Sequence, residues 1–171
     1  MNLLCRISLQ LLLVGLLAIC TNAQTQSTLQ GKVVAITDGD TITILDHAAR
    51  EHHIRLNGID SPETRQEFGE QARLSLAKIV FGRHVNVEYS KQDYIGRIRG
   101  KVSLLSGEDV SLKQIKAGMA WHDRESELDQ TTADRKTYAR AEQKARADRN
   151  GLWASANPTP PWQWRGNEVA R

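Results

Sequence analysis

Three short runs gather residue types that can hold a hard metal ion and a phosphate. They are Asp38-Gly39-Asp40-Thr41, Arg55-Leu56-Asn57-Gly58-Ile59-Asp60-Ser61-Pro62-Glu63 and Asp93-Tyr94-Ile95-Gly96-Arg97. Each has an ordinary structural explanation. Asp-Gly-Asp is a hairpin turn signal, Asp-Ser-Pro-Glu is a helix start, and Gly-Arg is a turn with an exposed arginine. Their conjunction asks for more. A hard divalent cation takes several oxygen ligands, carboxylates with backbone carbonyls and waters. Asp40 at a hairpin end and Asp60 at a strand exit offer two carboxylates, and the Ser61 carbonyl offers a third oxygen. No histidine motif stands at zinc spacing, and the two cysteines, Cys5 and Cys20, lie at the N-terminus. The donor set therefore favours one calcium ion over zinc.

Hydrolysing a phosphodiester needs a base or water-positioning group, positive charge at the equatorial oxygens, and a metal that neutralises and orients the phosphate. Glu63, one helical step beyond the acidic loop, fits the first requirement. Arg55 leaves its strand on the polar face and fits the second, and Arg97 approaches from another hairpin. Arginine suits the task because its planar fork matches two phosphate oxygens at once.

These side chains meet only if short elements carry them together. Residues 31–36, 41–46 and 52–58 alternate in polarity and are rich in β-branched types, as half-buried strands are. Ser61 as N-cap, Pro62 as first helical residue and Glu63 at the positive end of the dipole predict a helix start. Phe68, Ala72, Leu76 and Ile79 continue it to Gly82. Two strands follow, one with Val85, Val87 and Tyr89 on one face. The other has Ile98, Val102 and Leu104 inward and Arg97, Arg99 and Lys101 outward. Leu112, Ile115 and Met119 mark a second helix; Tyr138, Ala141 and Ala145 mark a third, stopped at Asn150-Gly151 with Leu152 and Trp153 folding back. The expected class is α+β, a five-stranded OB-fold barrel with three packed helices.

The ends fall outside that domain. Residues 1–23 hold Arg6, an unbroken apolar run from Leu11 to Ile19, and Thr21-Asn22-Ala23, the pattern of a Sec signal peptide cleaved near Ala23. The run is too short for a bilayer span, which takes about 20 residues. Its removal takes away both cysteines and lowers the net charge from +3 by the one arginine. The expectation is a secreted or periplasmic monomer with no membrane span after cleavage. Residues 24–29 read as a flexible lead, 30–154 as the domain, and 155–171 as a Pro/Trp-containing tail without regular structure.

The run from Ile36 to Thr41, the stretch from Ile54 to Thr64, Gly96-Arg97, Ile115 to Ala120, and Asn150-Gly151-Leu152-Trp153 resemble the staphylococcal nuclease family, over roughly residues 30–154. The resemblance implies an OB barrel that cleaves DNA and RNA at the phosphorus–5′-oxygen bond, leaving 3′-phosphate ends. It implies that Asp40, Asp60 and the Ser61 carbonyl hold calcium, that Glu63 is the general base, and that Arg55 and Arg97 hold the phosphate and its transition state.

The sequence departs from the family at the walls of the site. Tyr94-Ile95 stands where the family has a basic residue followed by tyrosine, and Trp121 to Ser126 lacks the tyrosines that flank the nucleotide. Losing such a platform costs about 1–3 kcal/mol per stacked base. Lys91, Tyr94 and Trp121 are the candidates for substrate contact in their place. The competing reading is a non-catalytic nucleic-acid-binding module on the same barrel, which has no use for two metal carboxylates, a glutamate and two arginines.

Overall fold

The computed structural model describes residues 27–92, 96–126 and 129–169. The putting-together of short alternating strands yields β1 (Ser27–Ile36), β2 (Thr41–Leu45), β3 (Glu51–Leu56), β5 (His84–Gln92) and β6 (Ile98–Leu104). They close into a barrel in the order β1-β2-β3-β6-β5. All neighbours are antiparallel except β3 and β6, which run parallel with Arg55 beside Arg99. Ile42, Ile44, Ile54, Val85, Val87, Ile98 and Val102 fill the interior, none more than 2% exposed. β6 follows the expected period, its even-numbered residues buried and its odd-numbered ones half-exposed.

Three helices cover the barrel: α1 (Gly69–Val80), α2 (Val110–Lys116) and α3 (Thr132–Ala147). Asp109 caps α2 and Thr131 caps α3, each accepting from a backbone N–H of the first turn. A two-stranded pair, β4 (Ile59–Asp60) with β7 (Trp121–His122), pins the exit of β3 to the segment before α3. Leu152 and Trp153 do fold back, in a 3₁₀ turn over Gly151–Ala154, with the Leu152 N–H donating to the Gly118 carbonyl. This is the expected α+β OB barrel with its three packed helices. Among the described residues no helix is long and apolar enough to cross a membrane.

Three local expectations are corrected. The first strand begins at Ser27, not 31, because residues 27–29 of the supposed flexible lead pair with β5, Leu29 opposite Val87. The first helix begins at Gly69 rather than at Ser61-Pro62-Glu63. The Ser61 N–H, which a helix start would leave free, donates to the Asp40 carboxylate, and residues 63–69 turn twice through Gln66→Glu63 and Gly69→Gln66 backbone bonds. Gly69 is needed there, since a Cβ would lie 1.9 Å from the Glu63 carbonyl oxygen. Finally, the tail is not irregular throughout: Pro161–Val169 forms a fourth helix, α4. The expected signal segment, 1–23, lies outside the described residues.

Candidate active site

The site lies where β2 begins and where β3 and β4 end. The Asp38 carboxylate accepts from the Asp40 N–H (2.9 Å), and the buried Gln114 side chain donates to the Gly39 carbonyl (2.8 Å). These bonds fix the turn that presents Asp40. The Leu56 N–H in turn donates to the Asp40 carbonyl at 2.8 Å, locking the turn to the end of β3. Arg55 leaves β3 on the polar face and donates to Asp40 Oδ1 and to Asp60 Oδ1, both at 2.8 Å. Asp40 Oδ2 accepts from the Ser61 N–H at 2.8 Å. Asp40 is 1% exposed, Asp60 5% and Ser61 4%.

Burial sets the electrostatics. Desolvation pushes the Asp40 carboxyl up to about 7; Arg55 opposes this, while Asp38 and Asp60 add to it. Burial also works against the Arg55 charge, and Asp40 and Asp60 outweigh it, so its pKa rises. Two buried carboxylates thus face one guanidinium, a pair of acids that calls for further positive charge.

A second guanidinium supplies it. Arg165 on α4 donates to Asp60 Oδ2 at 2.7 Å, to Asp60 Oδ1 at 3.2 Å and to Glu63 Oε1 at 2.7 Å. Glu63 itself stays partly open to solvent, and its backbone N–H donates to the Gln66 side chain. Beside Asp60 and Arg55 opens a cavity of about 1090 Å³, walled by Arg99, Trp121, Arg146, Trp162 and Arg165.

The donors are hard oxygens throughout, which suits calcium. Among the described residues no three His, Cys, Asp or Glu side chains gather as a ready-made cage. Asp40 and Asp60 are the two carboxylates of the cluster that could hold such an ion.

Asp40, Arg55, Asp60, Ser61 and Glu63 all come together here. Arg97 stands just before β6, half-exposed, two residues ahead of Arg99, which pairs with Arg55. Tyr94 lies outside the described residues, and Lys91 is placed only as a residue of β5. Trp121 forms part of the wall of the cavity and also packs. It is 4% exposed, with its ring edge-on to Trp153 (5.1 Å) and to Trp162 (6.3 Å). Arg165 escaped the sequence reading. A signal was present, since Pro161 is a favoured first helical residue, yet the Pro158-Thr159-Pro160 run before it masks the start.

A closed OB barrel carrying a buried acid–arginine cluster at its strand ends is the architecture of a phosphate-handling barrel protein. The comparisons sharpen this. The family model described as "Staphylococcal nuclease homologue" matches residues 53–155, and the chain belongs to that family. It is 35% identical over 137 residues to an uncharacterized endonuclease of Escherichia coli, covering 80% of this chain and 85% of that one. It is 39% identical over 124 residues to the staphylococcal-like nuclease CAN1 of Arabidopsis thaliana. It is 41% identical over 124 residues to an uncharacterized 38.1 kDa protein of Capnoides sempervirens. The chain spans only 35% and 34% of the length of those last two. The family match takes in Arg55, Asp60, Ser61, Glu63 and Arg97 and stops short of Asp40 on one side and of Arg165 on the other.

Proposed function

We propose that this chain is a calcium-dependent nuclease that hydrolyses phosphodiester bonds of DNA and RNA, working as an exported monomer. One observation carries the reading: Asp40, Arg55 and Asp60 form a buried ion-paired cluster with Glu63 beside it, and Arg55 and Asp60 line a large cavity. Family membership and relatives bearing nuclease names support the same class.

A calcium ion held by Asp40, Asp60 and the Ser61 carbonyl would neutralise and orient the scissile phosphate. Glu63 takes a proton from a water whose oxygen forms the new bond to phosphorus. The phosphorus–5′-oxygen bond breaks, and the leaving oxygen takes a proton from solvent. Product ends are a 3′-phosphate and a 5′-hydroxyl. Arg55 and Arg97 donate to the equatorial oxygens, where charge builds in the transition state. Burial matters here, because a guanidinium in a site shielded from water acts more strongly on that charge than one in bulk solvent.

The test uses the purified chain with single-stranded DNA, duplex DNA and RNA. Chelation should abolish cleavage and calcium should restore it. Glu63→Gln and Arg97→Ala should each lower turnover by about 100-fold or more while circular dichroism stays unchanged. Equal rates with and without chelator would sink the metal assignment. Binding of nucleic acid without cleavage under any divalent ion would favour the non-catalytic module instead.

A further inference from the structure

Arg165 lies outside the segment that the family model matches, yet it makes three hydrogen bonds to two residues of the site. The tail that carries it is docked rather than loose. The Gln66 side chain donates to the Thr159 carbonyl, Pro161 is buried, and Trp162 packs edge-on to Trp121. Gln66 works in both directions, because its Oε1 also accepts from the Glu63 N–H at 3.1 Å. Glu63 is therefore tied to the tail twice: by its backbone through Gln66 and by its carboxylate through Arg165.

We propose that Arg165 is a positioning residue for the reaction, a third arginine delivered by α4 that fixes the Glu63 carboxylate against Asp60. This rests on the nuclease reading above. Glu63 is partly solvent-exposed on a three-torsion side chain, and alone it would sample many orientations. A forked guanidinium spanning Glu63 Oε1 and both oxygens of Asp60 selects one. The contact leaves both acids usable. A carboxylate has about four acceptor positions. Arg55 and Arg165 take three on Asp60, leaving one for a cation, and the bonds to Glu63 leave Oε2 for the proton of water. Hydrogen bonds to a metal-binding carboxylate from its outer side are a known way to orient it.

The experiment compares wild type, Arg165→Ala, Arg165→Lys, Glu63→Gln and the Glu63→Gln/Arg165→Ala double variant. Steady-state cleavage of single-stranded DNA is measured with calcium, and calcium affinity by calorimetry. Arg165→Ala should lower kcat by ~10- to 100-fold with KM changed by less than about 3-fold, and Arg165→Lys should recover part of the loss. In the Glu63→Gln background the same substitution should cost less than about 3-fold, since the residue it positions is gone. Calcium affinity should stay within about 3-fold of wild type. An Arg165→Ala enzyme as fast as wild type, or one that binds calcium more tightly, would overturn the proposal; the second result would make the guanidinium a plug competing with the cation. An equal loss in both backgrounds would also overturn it, by showing that Arg165 acts elsewhere. If Arg165→Ala fails to fold, the Lys variant in the two backgrounds gives the same comparison. A wild type no faster than Glu63→Gln would sink the nuclease reading itself, whereas a slow Glu63→Gln beside an unaffected Arg165→Ala sinks this inference alone.

Discussion

Asp40 and Asp60 would repel each other in a dry pocket, and Arg55 is what holds them together, 2.8 Å from each. Burial outweighs that help and pushes the Asp40 carboxyl up from the ordinary 3.8 to about 7. Between those values the folded chain binds more protons at Asp40 than the unfolded chain does. Its contribution to stability is therefore greatest below the lower value and is lost as pH rises through the upper one. In metal-free buffer, wild type should lose stability relative to Asp40→Asn as pH climbs from 4 towards 7, by at most ~1.4 kcal/mol per pH unit. Urea melts of both proteins across that range check it. A difference that does not vary with pH would mean that Asp40 stays ionised throughout.

The turn between β4 and α1 does at the level of elements what Arg55 does for side chains. It uses the Ser61 N–H to hold Asp40, then reverses twice so that Glu63 stands beside Asp60 instead of running into a helix. Gly69 permits that close reversal. Gly69→Ala would drive a methyl group into the Glu63 carbonyl, so the turn must open. The expected result is a loss of at least about 1 kcal/mol in stability, together with a fall in kcat, because the carboxylate moves with its backbone. Denaturant midpoints and turnover measured on the same preparation test this; a stable Gly69→Ala protein with full turnover would show that the turn can shift without cost.

On the scale of the whole molecule, the barrel and the tail are separable structures that share one site. The barrel is closed by its own five strands, and α4 forms no part of it. Deleting residues 158–171 should leave the far-ultraviolet spectrum of a folded barrel and a cooperative melt, with a midpoint lowered by roughly 2–8 °C as Trp121 loses its cover. Cleavage should drop at least as far as in Arg165→Ala. A truncated chain with full activity would make the tail dispensable. The exported location proposed for the protein is checked separately, by N-terminal sequencing of the chain recovered after expression: a new terminus at residue 24 is expected.

Much of this molecule could be read before any coordinates. Alternation placed the barrel strands, because a strand with one buried face must repeat every second residue, and β6 keeps that period through Leu104. Helical spacing placed the bodies of α1, α2 and α3. The acids and arginines were visible as types, and the fork of Arg55 was expected on the polar face where it lies. Local rules failed where a distant partner outbid them. Ser61-Pro62-Glu63 has every mark of a helix start, but the Ser61 N–H binds Asp40, 21 residues earlier, and the chain closes two turns before the helix begins at Gly69. Trp121 was legible as an aromatic near the site, but not its edge-on packing against Trp153 and Trp162. Arg165 stands 105 residues from Asp60 and 102 from Glu63 in the chain, and no local pattern measures such distances. Local sequence was enough for the barrel strands, the bodies of α1 to α3 and the chemical groups they carry, since these follow from neighbours a few residues apart. That a helix in the tail brings Arg165 to the site depends on how separated segments dock, and no run of neighbouring residues records it.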